Sequence, residues 1–237
     1  MIKIWKERAL ARLCSGAMAA FRKNPLKLRP EDLRNVRLSF SQFGEDLVIA
    51  DNLLNRKSPQ GIYIDAGCFD PFRYSNTRLL NLLGWRGINI DAADDVVAKF
   101  DVHRKADFNV CAALSNVETD MQLATEGGPA CRRLVRPGQS NGSPILRTTT
   151  LASMIRESPF NGQPVDLLDI DCEGHDFEVL QGFPFERVKP LIICIEAHSR
   201  GERERVLPFL AAMSYSLFSE LGPSQLFRQP DVGHSSD

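Results

Sequence analysis

No stretch of the chain runs apolar for anything near the ~20 residues that a membrane-spanning helix needs, so no such helix is expected. Neither sign of charge is in excess, with 29 Lys and Arg against 30 Asp and Glu. A nucleic-acid binder that is basic overall is thereby excluded. The six cysteines, Cys14, Cys68, Cys111, Cys131, Cys172 and Cys194, include no C-x-x-C pair. That leaves neither a zinc ribbon nor a compact disulfide framework. Cys194 lies within Leu191-Ile192-Ile193-Cys194-Ile195, where a free thiol acts as a small apolar group. A reducing cytosol is the expected compartment. The G-x-G-x-x-G fingerprint is also missing. Asp65-Ala66-Gly67-Cys68-Phe69-Asp70 offers one glycine, and Asp70 would repel a pyrophosphate.

What is present suits one α/β domain with its own core: 237 residues, 43% hydrophobic and 25% charged. The near-neutral sum hides an asymmetry. Residues 1–37 hold ten Lys and Arg against three acids, a basic arm on an acidic body. Ile2, Trp5, Ala9 and Leu13 recur at helical spacing. Such a helix suits either an anionic membrane face or docking on its own domain. Arg12 interrupts the only stretch resembling a signal-peptide core, so secretion is not expected. The main domain is expected over 38–230, with a disordered tail at 231–237.

From residue 39 onward, apolar strand-like runs alternate with helical periodicity, the pattern of a doubly wound sheet with helices on both faces. Ser39 and Gln42 are spaced as a capping box for a helix to about Asn55. Strands are expected at 61–66, 87–91, 108–114, 165–170 and 191–197, with a closing antiparallel hairpin near 215–219 and 225–228. Residues 126–147, rich in Gly, Pro, Ser and Arg, read as a long irregular loop. Ligands of such sheets collect beyond the carboxyl ends of the strands. The residues assigned there are Asp65 and Gly67, Asp91, Asp107 or Asn109, Asp171 and Glu173, and Glu196 and His198. Acids at so many strand ends suit a hydroxyl-rich, positively charged, phosphate-free nucleoside such as S-adenosylmethionine. Gly67 would let the backbone approach it.

Several blocks carry a resemblance. Ser41-Gln42-Phe43-Gly44-Glu45-Asp46, Tyr63-Ile64-Asp65-Ala66-Gly67 with Asp70-Pro71 and Ser75-Asn76-Thr77, Gly84-Trp85-Arg86-Gly87-Ile88-Asn89-Ile90-Asp91, and Asp169-Ile170-Asp171-Cys172-Glu173-Gly174-His175-Asp176 with Val179-Leu180-Gln181-Gly182 resemble the FkbM-type methyltransferases. The resemblance runs in order over about residues 39–228. It implies a class I, Rossmann-like methyltransferase fold with a seven-stranded, mostly parallel sheet, dependence on S-adenosylmethionine, and O-methylation of a sugar, glycan precursor or other small-molecule hydroxyl. Carried over, it puts Gln42, Glu45, Asp46, Asp65 and Gly67 near the cofactor's methionine end, Asp91 on the ribose and Asp107 toward the adenine, with Asn76 a further cofactor-binding residue. The family's usual Glu-Pro is Asp91-Ala92 here, its usual Lys is Asp169, and its usual Val is Cys172. Asp169 and Asp171, two residues apart, are expected to titrate together.

Methyl transfer to oxygen requires alignment of the acceptor and removal of its proton. Asp171, Glu173, Glu196 and His198 are the candidates, His198 as base with a carboxylate orienting it; His175 is a further histidine at a helix start. If a metal takes part, Asp171, Glu196 and His198 form a mixed set that suits Mg²⁺ or Mn²⁺. Arg132, Arg133 and Arg136 suit an anionic acceptor, with the solvated-loop reading equally open. A nicotinamide-dependent oxidoreductase and a non-catalytic interaction protein of the same fold are the competing readings.

Overall fold

A computed structural model describes residues 34, 36–54, 60–125, 132–140 and 142–229. The helix expected in the basic arm, with its proposed membrane contact, and the tail at 231–237 lie outside them. The chain divides into two units, Met1–Leu38 and Ser39–Asp237, and the helices and strands named below belong to the second.

In chain order these are α1 (Glu45–Leu54), β1 (Ile62–Ala66), α2 (Arg78–Leu82), β2 (Arg86–Asp91), α3 (Asp94–His103), β3 (Phe108–Cys111), β4 (Ala113–Leu114), β5 (Asp120–Thr125), β6 (Arg132–Val135), β7 (Ile145–Thr149), α4 (Leu151–Glu157), β8 (Leu167–Ile170), α5 (Asp176–Gln181), β9 (Ile192–Glu196), α6 (Arg200–Ala212), β10 (Ser216–Leu221) and β11 (Ser224–Arg228). The main sheet has seven strands in the order β10-β11-β9-β8-β1-β2-β3. Its two antiparallel pairings are those of β11 with β10 and β9, so the expected mostly parallel sheet with a C-terminal hairpin is present.

Alternation along the central strands gives the sheet two unlike faces. Ile64, Ala66, Ile88, Ile90, Leu168, Ile170, Ile193 and Ile195 point to one, packed with Leu151, Val179, Leu180, Val206 and Leu210 of α4, α5 and α6. Tyr63, Leu167, Ile192 and Cys194 point to the other, packed with Ile49 and Leu53 of α1 and Leu80 of α2. The second face also carries a polar row. Register aligns Cys194, Asp169, Asp65, Asn89 and Asn109 across β9, β8, β1, β2 and β3.

Arg104, just past α3, compensates this row from a fully buried position. Its Nη1 donates to Thr77 Oγ1 at 2.7 Å and Asn89 Oδ1 at 3.2 Å and lies 3.8 Å from Asp65 Oδ2. Its Nη2 donates to Ser75 Oγ at 2.9 Å and the Pro71 carbonyl at 3.2 Å. Thr77 in turn donates to Asp65. Among the described residues no cation pairs with Asp169, which accepts from Asn76 Nδ2 at 3.0 Å. Burial, and after it the charge on Asp65, push the Asp169 carboxyl well above the usual range. The folded chain therefore keeps a proton that the unfolded chain has released. Stability linked to it is full below the ordinary carboxylate value near ~4 and is lost as the pH rises through the folded value. Asp169→Asn is expected to flatten that loss, leaving the variant more stable than the parent at pH 8 by about 1 kcal/mol or more and nearly level with it in mild acid. Urea titrations at both pH values check this.

Three local expectations need correction. Ser39 and Gln42 form no capping box. The helix starts at Glu45, and Ser39 and Ser41 spend their hydroxyls on the Asp46 carboxylate at 2.6 and 2.8 Å. The proline at 71 and the apolar run to Leu83 predict a helix over that stretch, but the helix is only Arg78–Leu82, because residues 69–77 form a structured loop. Most importantly, the described part of 126–147 is not a loop throughout, since Arg132–Val135 is β6 and β7 begins at Ile145. The chain leaves the main sheet after β3 and builds a second sheet, order β4-β7-β5-β6. Arg132-Arg133-Leu134-Val135 pairs antiparallel with Gln122-Leu123-Ala124-Thr125, and ladder hydrogen bonds override the Gly, Pro and Ser composition. Among the described residues no helix is long and apolar enough to cross a membrane.

Candidate active site

The second sheet leaves the first at the carboxyl end of β3, where Ala112 N donates to the Asp91 carbonyl at 2.9 Å. Between the strand ends and this sheet lies a cleft of about 280 Å³. Its polar lining is Gln42, Asp91, Arg132, Asp171 and Glu173, and Ala92, Val96, Ala112, Leu114, Leu123 and Leu134 supply apolar wall.

Each strand end is shaped for a reason. Gly67, after β1, has φ +85°, and a Cβ there would run into the Asp171 carbonyl. It lines the cleft, yet what crowds it is the neighbouring strand end. Asp91, ending β2, accepts from Ala93 N at 2.9 Å through Oδ1 and from Phe69 N at 3.3 Å through Oδ2. Burial raises its carboxyl above the usual range, and those two N–H bonds oppose the shift. Past β8, the turn Asp171-Cys172-Glu173-Gly174 is pinned by Asp176, which accepts from Cys172 N at 2.6 Å and Gly174 N at 2.9 Å. Glu173 takes φ +51° in this turn, and Asp171 and Glu173 both reach the cleft.

Burial raises all three acids of this corner, Asp171, Glu173 and Glu196. Burial first, then the charge of Glu196, push Asp171 well above the carboxylate range, and a hydrogen bond links it to Glu196. Asp171 Oδ1 is buried without a partner. Glu196 lies 2.7 Å from His198 Nε2, whose side chain is half exposed. Glu173 is an exposed residue whose carboxyl is still raised by partial desolvation, with His198 opposing. His175 turns elsewhere, its Nε2 3.0 Å from Ser115 Oγ, and burial lowers its proton affinity.

Of the residues assigned to a cofactor, the cleft gathers Gln42, Gly67 and Asp91. The others are turned into the protein. Glu45 accepts from Phe43 N and Ser224 Oγ, at 2.8 and 2.9 Å. Asp46 holds Ser39, Phe40 and Ser41. Asp65 is held by Thr77 and Arg104, and Asn76 by Asp169. Asp107 precedes β3 rather than following it, so its expected position at a carboxyl strand end is corrected. It accepts from Tyr63, Asn89 and Gly87 N. Asp169 and Asp171 also part company, since Asp169 joins the buried row while Asp171 enters the cleft.

Among the arginines only Arg132 lines the cleft, bidentate to Asp95 of α3 at 2.7 and 3.1 Å. Arg133 is the next residue along β6 and so lies on the opposite face of that strand. Arg136 follows the strand, its N–H bonded to Gln139. A loop carrying three converging arginines is thus replaced by a strand that brings one. Among the described residues no three His, Cys, Asp or Glu side chains converge to hold a metal ion, Asp171, Glu196 and His198 included. Sequence reasoning missed Phe69, Tyr74 and the apolar wall from Leu123 and Leu134, which depend on the second sheet and the 69–77 loop. It also missed Arg104, one basic residue within the polar run His103-Arg104-Lys105, with no pattern to mark it as buried.

A family model described as the methyltransferase FkbM domain matches residues 65–221. No curated protein matches the chain.

Proposed function

The chain belongs to the FkbM methyltransferase domain family, and from that premise we propose that it is a class I methyltransferase that uses S-adenosylmethionine to methylate a hydroxyl of a sugar, glycan precursor or other small molecule. The observation carrying this reading is the cleft at the carboxyl ends of β1, β2 and β8, with three carboxylates and one arginine already paired to Asp95. That donor set suits a cationic ligand rich in hydroxyls and does not suit a pyrophosphate.

In this reading Asp91 accepts from the ribose hydroxyls, Ala92, Val96, Ala112 and Leu123 enclose the adenine, and Gly67 and Gln42 border the methionine end. The bound cofactor supplies a sulfonium methyl group. The chain's own task is to orient the acceptor oxygen and take its proton. Burial favours the protonated form of Asp171, so the step is not assigned to it. Glu173 faces the cleft with its proton affinity raised toward the working pH, as a general base requires. Asp171, Glu196 and His198 stand behind it as a chain that orients and buffers the corner. The free thiols of Cys68, Cys111, Cys172 and Cys194 fit a reducing cytosol.

Calorimetric titration with S-adenosylmethionine and S-adenosylhomocysteine tests the assignment of Asp91. Asp91→Ala is expected to weaken both by about 1–3 kcal/mol, the loss of a hydrogen-bonded polar contact. Unchanged affinity would remove Asp91 from the site.

A further inference from the structure

The cleft has one wall that cofactor recognition does not call for. Phe69 and Tyr74 both line it, their rings near-parallel at 19° with centroids 6.4 Å apart. Both have positive φ, +47° and +53°, a conformation that bulky residues rarely adopt. Tyr74 is 57% exposed, so an aromatic face is held open toward solvent at the mouth of the cleft. The guanidinium of Arg73 lies 5.9 Å from the centroid of each ring.

The loop carrying these rings is fastened at several points. Asp70 Oδ1 accepts from Phe72 N at 3.0 Å and Arg73 N at 3.3 Å. Arg104 holds Pro71 and Ser75 from below, and Ser75 N donates to the Phe40 carbonyl at 3.0 Å. Strain that the surroundings maintain at a cleft is a marker of function. Around the rings the cleft offers hydrogen-bonding groups, namely Gln42, Glu173 and the Tyr74 hydroxyl.

We propose that Phe69 and Tyr74 form the platform on which the methyl acceptor lies, and that they select an acceptor ring with one C–H face and a hydroxylated rim. The C–H face rests on the aromatic π-systems, whose negative faces attract polarised hydrogens, while the rim meets Gln42 and Glu173. This inference rests on the methyltransferase reading. Phe69 and Tyr74 determine specificity; they do not take the proton.

Saturation-transfer NMR on the full chain with S-adenosylhomocysteine present tests it. The probes are the methyl α-pyranosides of glucose, galactose and mannose, with phenol as the flat-ring control. At least one pyranoside is expected to be saturated through its ring C–H protons. That signal is expected to fall about fivefold in Tyr74→Ala and in Phe69→Leu and to persist in Tyr74→Phe, with S-adenosylhomocysteine affinity within about twofold of the parent in all three. Equal saturation in Tyr74→Ala, saturation of phenol alone, or no saturation of any probe by the loaded parent would overturn the platform. Failure of the parent to bind S-adenosylhomocysteine would overturn the methyltransferase reading, and the platform with it.

Discussion

Arg104→Met is expected to destabilise the protein by about 3–5 kcal/mol, seen as a lower urea midpoint with little change in slope. The guanidinium is wholly buried and serves Asp65, Thr77, Asn89, Ser75 and the Pro71 carbonyl together. Methionine fills much of the same volume, so lost packing is a small part of the effect. The larger part is the stranded charge, because Asp65 would face Asp169 across one strand pair with no cation near. Burial already raises Asp65, and Arg104 is the principal opposing influence. Adding Asp65→Asn to Arg104→Met is therefore expected to recover part of the loss, the non-additivity of residues sharing one network. Equal losses in the single and double variants would show that the cation is not there for Asp65.

Gly67→Ala is expected to cost roughly 2–4 kcal/mol, through an unfavourable backbone conformation and a steric conflict that compound each other. At φ +85° an L side chain is strained wherever it points, and here it points at the backbone of Asp171, which has no rotamer to yield. Gly44, also at positive φ, has open space around its missing Cβ, so conformational strain alone would act there. Urea denaturation of the two alanine variants separates the parts, with the excess at Gly67 measuring how tightly the ends of β1 and β8 are pressed together. Since Gly67 itself borders the proposed methionine end of the cleft, weaker cofactor binding should accompany the lost stability.

The parts of the fold legible in the sequence were those whose burial writes a local pattern. Ile62-Tyr63-Ile64-Asp65-Ala66 and Ile192-Ile193-Cys194-Ile195 are short apolar runs ending near an acid, which a parallel strand covered on both faces must be. The same logic put Asp91, Asp171 and Glu173 at one rim, and the cleft gathers all three. What was not legible depends on contacts distant in sequence. Arg132–Val135 is a strand because Gln122–Thr125 pairs with it, and its own residues carry a charge pattern suited equally to a loop. Asp107 is expected at the carboxyl end of β3 but lies just before it, because the strand begins at Phe108 with Asn109 inside it, a start that only the register Ile88 to Phe108 fixes. Glu45 and Asp46 read as ligand-facing acids, whereas two buried carboxylates met by hydroxyl and backbone donors need no ligand.

Crystals of the chain grown with S-adenosylhomocysteine test the central claim most directly, that the cleft between the two sheets is the cofactor site. The account expects the nucleoside between Ala92 and Ala112, its ribose hydroxyls within hydrogen-bond distance of Asp91, and its amino-acid end beside Gly67 and Gln42. A ligand bound elsewhere, or a cleft left empty at saturating concentration, would contradict it.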